Sequence, residues 1–164
     1  MIKIKNMKKI FSICLLSFLL FSCQQEGRIY VKHLDLSPEV EWLSKDKREF
    51  KVPIEDSSIP YNMSLSLRYA TGYQYQVAKV EVTETSPSGE VTTAEYDLKI
   101  RDEKGDYIGD PGFDIWDSEH MIEADKIYPE TGTYTYQIEH VMPNDPLIFA
   151  MSIGVILDKA NKSQ

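Results

Sequence analysis

Apolar and polar residues alternate with a period of two along most of this chain. In the run YNMSLSLRY (61–69), every second residue is apolar or aromatic, and the residues between are asparagine, serine or arginine. This alternation is typical of a strand that buries one face of its sheet. The same period recurs in AKVEVTET (78–85), AEYDLKIR (94–101), TYTYQIEH (133–140) and FAMSIGVIL (149–157). In the last run we expect one shared face for Phe149, Met151, Ile153, Val155 and Leu157.

Turn-forming residues separate the alternating runs. The segments SPSGE (86–90) and DEKGD (102–106) carry the proline, glycine and aspartate that hairpin loops favour. In the second, we expect Asp102 to cap its own turn and Gly105 to adopt a positive φ. Pro53 lacks the amide hydrogen that an inner strand donates, so its strand is predicted to lie at a sheet edge.

Helical periodicity is scarce. The segment 37–50 fits a turn that Ser37 caps, with Pro38 in its first position. The segment 116–126 fits either a helix or a bulged strand, and the pattern does not decide between them. Seven or eight short strands with regular turns predict one all-β domain, an antiparallel β-sandwich of immunoglobulin-like or jelly-roll-like type.

The N-terminus has the layout of a secretory signal peptide. Four lysines precede an almost wholly apolar run, residues 10–21. That run is shorter than the roughly 20 residues that a membrane-spanning helix requires. Leu20, Phe21, Ser22 and Cys23 resemble the lipobox of bacterial lipoproteins, which implies cleavage before Cys23 and lipid on its thiol. Several acyl chains would anchor the protein stably, because each buried methylene contributes about 0.8 kcal/mol.

We therefore predict a signal peptide at 1–22, a lipidated tether at 23–28, a β-sandwich at 29–159 and a disordered tail at 160–164. Four of the 18 basic residues lie in 1–22, so 14 basic and 26 acidic residues remain, a balance of −12. This balance excludes nucleic acid as a partner and predicts repulsion from anionic headgroups. The cysteines are Cys14 and Cys23, which leaves the folded domain without disulfides or thiolate metal sites.

Candidate catalytic chemistry is weak. Asp102, Asp106 and Asp110 could supply oxygen ligands to calcium, but turn capping explains these acids better because their spacing does not match an EF-hand loop. Three histidines lie far apart in the sequence, without the spacing of a metal motif. No serine has a nucleophile-elbow context and no glycine-rich phosphate loop follows a strand. We predict a protein that is not an enzyme and carries no cofactor.

Aromatic residues provide the remaining candidate surface. Tyr73 and Tyr75 follow the 61–69 strand, and Phe113 and Trp116 lie in an acidic, glycine-rich segment. Exposed rings of this kind contact proteins or stack on sugars. We expect Tyr73 and Tyr75 to be exposed, whereas core packing is the better expectation for Trp116.

Three stretches in order resemble the gliding motility lipoprotein family GldH of Bacteroidota. They are YNMSLSLRY, GDPGFDIWD, and PETGTYTYQIEHVMPNDPL with the closing SIGVILDK. The resemblance spans about residues 23–159 and implies a lipoprotein of the gliding machinery, which overlaps the type IX secretion system. It transfers a defined role to Cys23 alone.

The resemblance implies other envelope proteins as partners and the membrane as a partner through the N-terminal lipid. Surface-displayed lipoproteins of Bacteroidota often carry an acidic cluster after the lipidated cysteine. In QQEGR (24–28) only Glu26 is acidic, which favours the periplasmic side of the outer membrane. The alternative function is a glycan-binding module at the cell surface.

Overall fold

A computed structural model describes residues 27–160 of the protein. Over that range the chain is a single all-β domain without a helix, as the alternating pattern predicts. The predicted signal peptide (1–22), Cys23 and residues 161–164 of the predicted tail lie outside the described residues. In the described part of the chain, no helix is long and apolar enough to span a bilayer.

Eight of the strands within 27–160 have seven residues or more, and three have two. In chain order the strands are β1 (Arg28–Asp35), β2 (Glu41–Trp42), β3 (Arg48–Ile54), β4 (Tyr61–Ala70), β5 (Val77–Thr85), β6 (Val91–Lys99), β7 (Asp110–Pro111), β8 (Ile115–Lys126), β9 (Gly132–His140), β10 (Leu147–Ile148) and β11 (Ala150–Lys159). The eight long strands confirm the predicted seven or eight.

The strands form two large antiparallel sheets and one small one. The five-stranded sheet has the order β1-β11-β4-β8-β7, the four-stranded sheet has the order β3-β9-β5-β6, and β2 pairs with β10. The long strands pair first with last and inwards from there: β1 with β11, β3 with β9, β4 with β8, and β5 with β6. A long antiparallel hairpin wrapped into two sheets has this order, which is that of a jelly roll. The structure thereby decides between the two predicted sandwich types.

The core lies between the facing sides of the two large sheets. Strand β4 contributes its alternate residues, so Leu65 and Leu67 are fully buried. Strand β9 contributes Tyr134 and Tyr136 from the opposite sheet, while Trp42 of β2 closes one end. Each such side chain contributes about 1.5–3 kcal/mol when it is removed from water, so the domain can be stable without disulfides.

A charged cluster lies inside one end of the sandwich. The ammonium group of Lys126 pairs with Glu84 and Glu123 and lies above the rings of Tyr128 and Tyr136. Burial opposes the charge on Lys126, but the hydrogen bonds to the two carboxylates outweigh it and raise its pKa. Each of these charges is therefore compensated by the others.

Two segments that the pattern left open are extended. Segment 116–126 belongs to strand β8, whose pairing with β4 is irregular at Met63, so the bulged strand is the correct alternative. Segment 37–50 has a turn at its start, where the Ser37 hydroxyl accepts the Glu39 N–H, and then continues as strands rather than a helix. Strand β3, which contains Pro53, lies at an edge of its sheet as predicted.

The expected single face of 149–157 is wrong at its beginning. The pairing of β11 with β4 shifts between Ala150 and Ser152, and Phe149 has a φ of 70°. Ala150 is consequently buried in the core, while Phe149 and Met151 are only half-buried. A bulge reverses the alternation of side chains, and the period of two cannot show it.

The sandwich has two distinct ends. The tether end carries Gly27, the first described residue, and Lys159, whose N–H donates to the Gly27 carbonyl. The opposite end, called the distal end here, carries four connections between the long strands, three of which include a two-residue strand: residues 36–47, 71–76, 100–114 and 141–149. Ten-residue strands such as β4 separate the two ends by about 33 Å.

Candidate functional site

Five aromatic rings form a continuous row through the distal end. Successive ring centroids are 6.1, 5.7, 5.7 and 5.3 Å apart. In order, the rings belong to Tyr75, Tyr73, Tyr69, Tyr107 and Trp116. These separations are typical of favourable aromatic pairs. Because the rings come from strand β4, strand β8 and two loops, the row fixes the loops on the sandwich.

Hydrogen bonds fasten the same loops. The Tyr69 hydroxyl donates to the carbonyls of Ile100 and Ile108, and burial raises its pKa to about 12. The Gly72 N–H donates to the Tyr107 hydroxyl over 2.7 Å. The guanidinium of Arg101 lies 3.7 Å from the centroid of the Tyr107 ring. The distal loops are thus held by hydrogen bonds and a cation–π contact as well as by ring packing.

Phe113 projects from this fastened base. It is at the tip of the β7–β8 hairpin, where the Gly112 N–H donates to the Ile115 carbonyl over 2.7 Å. The Thr71 N–H donates to the Asp114 carbonyl, which joins the tip to the turn after β4. Phe113 is 99% exposed, the largest exposure among the large hydrophobic residues described. A large apolar ring held in water by a hydrogen-bonded turn is typical of a binding contact.

The expected exposures of the predicted aromatic residues are partly wrong. Tyr73 was expected at the surface, but it is completely buried because its ring packs between Tyr69 and Tyr75. Tyr75 is half-buried, and so is Trp116, whose indole N–H donates to the Thr71 hydroxyl over 3.3 Å. Burial of Tyr73 removes one ring from the sugar-stacking platform that a glycan-binding function would use.

Sequence reasoning missed Tyr107 and the strained backbone of the distal end. Tyr107 lies in the acidic segment, where no alternation marks it as part of a packed row. Val40 and Phe149 have φ values of 57° and 70°, and the Phe149 N–H donates to the Val40 carbonyl. Bulky residues rarely adopt this left-handed region, and such strain is concentrated at functional sites.

The acidic segment forms turns. The Asp102 carboxylate accepts the N–H groups of Lys104 and Asp106, and Gly105 has a φ of 90°, as predicted. Asp110 lies apart, in strand β7. Across residues 27–160, no group of three or more acidic, histidine or cysteine side chains is arranged to hold a metal ion. The structure therefore does not bring the candidate calcium ligands together.

Two histidines are enclosed by the fold. The His120 ring nitrogen lies 3.0 Å from the Ser118 hydroxyl, and burial lowers the pKa of this histidine. His140 is almost completely buried, its Nδ1 accepts the Met142 N–H, and its Nε2 lies 3.5 Å from the Asp145 carboxylate. Burial also lowers the pKa of His140, although Asp145 opposes this effect.

A polar groove of about 580 Å³ crosses the outer face of the five-stranded sheet. Its lining includes two small residues, Ser66 on β4 and Ser152 on β11. An added Cβ at Gly154 would lie 2.4 Å from both the His33 ring and the Ser66 hydroxyl oxygen. The absence of a side chain at Gly154 therefore allows the His33 ring to lie against the sheet.

Ion pairs border the groove on both sides. Arg28 contacts Glu119 over 2.9 Å and Asp158 over 3.1 Å, and Arg68 contacts Asp117 over 2.7 Å. The hydrogen bond from Arg68 lowers the pKa of Asp117. Both guanidinium groups are thus already occupied by carboxylates of the same chain.

Comparison with protein families finds a match to the model of the GldH lipoprotein over residues 28–157. The match covers nearly the whole sandwich, from the start of β1 to Leu157 in β11. The chain belongs to the GldH lipoprotein family. Its membership identifies it as a membrane-anchored lipoprotein of the cell envelope. Comparison with curated proteins gives no match. Within this GldH lipoprotein, the family match includes both the aromatic row and Phe113.

Proposed function

We propose that this protein is a non-enzymatic subunit or accessory of the gliding and type IX secretion machinery, anchored to the outer membrane on its periplasmic side. In this role, Cys23 carries the lipid and the distal end binds another envelope protein. The exposure of Phe113 on a hydrogen-bonded hairpin is the observation that carries the proposal. The family match supports the lipoprotein part of it.

The geometry suits a tethered binding module. The four residue steps from Cys23 to Gly27 reach at most about 14 Å when extended. The sandwich adds about 33 Å between its two ends. The tether end therefore stays close to the bilayer, while Phe113 faces away from it towards other envelope proteins.

Charge defines the expected partner surface. Between positions 101 and 117 there are six acidic residues and two basic ones. Phe113 thus lies in an acidic segment. A complementary partner presents an apolar pocket with basic residues around it. Complementary charges of this kind mainly raise the rate of association and select the partner.

The paired charges of the polar groove support a non-enzymatic role. Arg28 and Arg68 are engaged by carboxylates. Hydrolytic chemistry needs a nucleophile with an oriented base, whereas the Ser118 hydroxyl next to His120 donates to the Leu67 carbonyl. The His33 ring lies against Gly154, where it contributes to packing on the sheet. The geometry thus favours protein binding over catalysis.

Replacement of each cysteine in turn tests the proposed lipid anchor. We expect Cys23→Ala to move the full-length protein out of the membrane fraction and to abolish its co-purification with envelope proteins. The matched variant Cys14→Ala removes the other cysteine and should change neither property. Full function of the unanchored Cys23→Ala protein would contradict the proposal.

A further inference from the structure

The free edge of strand β6 is the sheet edge with the least protection in the described structure. Edge strands usually carry a proline, a bulge, a central lysine or a covering element that prevents pairing with another chain. Strand β3 contains Lys51 and Pro53, and β1 has an irregular register at its start. Strand β8 has a bulge and is partly covered by β7. Strand β6 pairs with β5 over nine consecutive residues without a register shift, proline or glycine.

The hydrogen-bond pattern shows which groups of β6 face outwards. The Ser86 N–H donates to the Glu90 carbonyl, and the Ile100 N–H donates to the Gln76 carbonyl. Antiparallel partners alternate between bonded and non-bonded pairs, so the even-numbered residues of β6 bond to β5. The N–H and C=O groups of the odd-numbered residues therefore point to the free edge: Val91, Thr93, Glu95, Asp97 and Lys99.

Apolar surface accompanies this edge. Val91 is 59% exposed, and Thr92, Thr93 and Ala94 are exposed as well. A groove of about 280 Å³ opens beside the last three of these residues, between β6 and β8. Val82 and other apolar side chains line it, together with Glu84 and Glu123, whose carboxylates are paired with Lys126. An added strand would place alternate side chains over this groove, where small apolar residues fit.

A row of glutamates crosses the outer face next to the edge. Glu139, Glu81 and Glu95 lie directly opposite one another on β9, β5 and β6. Lys47 pairs with Glu139, so the repulsion in this row is mainly between Glu81 and Glu95. Like charges in register repel each other across a sheet, and an added strand would extend this row. Basic residues on the outward side of that strand would offset the repulsion. A second copy of this chain, centred on Glu95, would instead place Glu95 opposite itself.

We propose that the β6 edge binds an extended segment of a partner protein in which basic residues alternate with small apolar ones. The segment adds a fifth strand to the four-stranded sheet. Its main chain bonds to the odd-numbered residues of β6, its basic side chains lie beside Glu95, and its apolar side chains cover the groove. This surface is separate from Phe113, so the inference goes beyond the proposed distal contact.

Fluorescence anisotropy of full-length protein in detergent micelles tests this inference. The probe is a fluorescein-labelled peptide of alternating lysine and valine with the nine-residue length of β6, and the comparison peptide alternates glutamate and valine. We expect the lysine peptide to bind about tenfold more tightly or better, with weaker binding at high salt. Equal binding of both peptides, or binding of neither, would overturn the proposal.

Edge variants locate the binding site. Thr93→Pro removes an outward N–H without removing a main-chain bond to β5, although it also removes the contact between the Thr93 and Thr83 hydroxyls, as Thr93→Val does. We expect Thr93→Pro to weaken binding of the lysine peptide by about tenfold. The matched variant Thr93→Val retains the N–H and should bind normally, as should Phe113→Ala. Glu95→Lys should also weaken binding of the lysine peptide. Unchanged binding by Thr93→Pro would place the peptide elsewhere and overturn the proposal.

N-methylated peptides make the test independent of the folding of the variants. In an added strand, every second amide of the peptide donates its N–H to β6. Two peptides are therefore compared, one methylated at the odd-numbered amides and one at the even-numbered amides. We expect one of the two methylated peptides to lose binding and the other to retain it. Equal retention by both would show that no strand is added. If the protein self-associates and Thr93→Pro abolishes this self-association, the β6 edge binds a second copy of the chain. That result would overturn the proposed partner.

Discussion

Replacement of Phe113 by alanine separates binding from folding. Because the side chain is 99% exposed, its removal should change the free energy of unfolding by no more than about 0.5 kcal/mol. Complete burial of a phenylalanine in a partner is worth about 1.5–3 kcal/mol. The variant should therefore weaken partner binding by about 10- to 150-fold while its thermal unfolding is unchanged.

Quantitative co-purification measures this difference. Tagged full-length protein is cross-linked in intact envelopes, and recovered proteins are compared between wild type and Phe113→Ala. The control is Met121→Ala, because Met121 is 60% exposed on the outer face of the large sheet, away from the distal end. We expect loss of specific partners from the first variant only. Equal recovery by both variants and wild type would refute the role of Phe113.

Three further predictions concern stability. Gly109→Ala should destabilise the domain by about 2–5 kcal/mol, because Gly109 has a φ of 123° and its added Cβ would lie 2.3 Å from a backbone oxygen. Gly89→Ala, also at positive φ but in open space, should cost only about 1–2 kcal/mol in the same thermal melts. Lys126→Met should cost about 3 kcal/mol in denaturant unfolding, since two partly buried carboxylates lose their counter-charge; an unchanged midpoint would contradict that assignment. His120 and His140 have lowered pKa values in the fold, so the unfolded chain binds more protons, and stability should decrease as pH falls below about 6.5. Replacement of both histidines by glutamine should reduce the dependence of stability on pH in thermal melts between pH 7.5 and 5.5. An unchanged dependence would show that these histidines do not cause it.

The alternation of residues predicted most of the sandwich because each long strand buries one side. In 61–69 the pattern gave the core face directly, since Leu65 and Leu67 are buried as expected. Pro53 predicted an edge because a missing N–H affects only hydrogen bonding between strands. Gly105 and Asp102 predicted their turn through local backbone chemistry. These features depend on neighbours in the sequence.

Features that depend on distant contacts were not predictable. The jelly-roll order depends on which strands pair, and the same alternating pattern is compatible with other sandwiches. Tyr73 follows a strand and precedes polar residues, so it resembled an exposed loop residue, yet rings from Tyr69 and Tyr75 enclose it. The bulge at Ala150 arises from pairing with β4 and leaves no signal in the period.

The candidate surface was partly foreseen. Phe113 and Trp116 were identified from the acidic segment, but only the fold shows that one is exposed while the other braces its base. The unprotected edge of β6 was not predicted, since the sequence does not tell which strand lacks a neighbour. Edge position and loop clustering are properties of topology, whereas ring size and charge are properties of sequence.

Photo-cross-linking from position 113 tests the central claim most directly. A benzophenone-bearing phenylalanine analogue replaces Phe113 in the full-length protein, and a matched protein carries it in place of Met121. After irradiation of intact envelopes, we predict cross-links from position 113 to a motility or secretion protein, and none to that protein from position 121. Absence of a protein cross-link at position 113, or the same cross-links from both positions, would contradict a protein-binding role for the distal end.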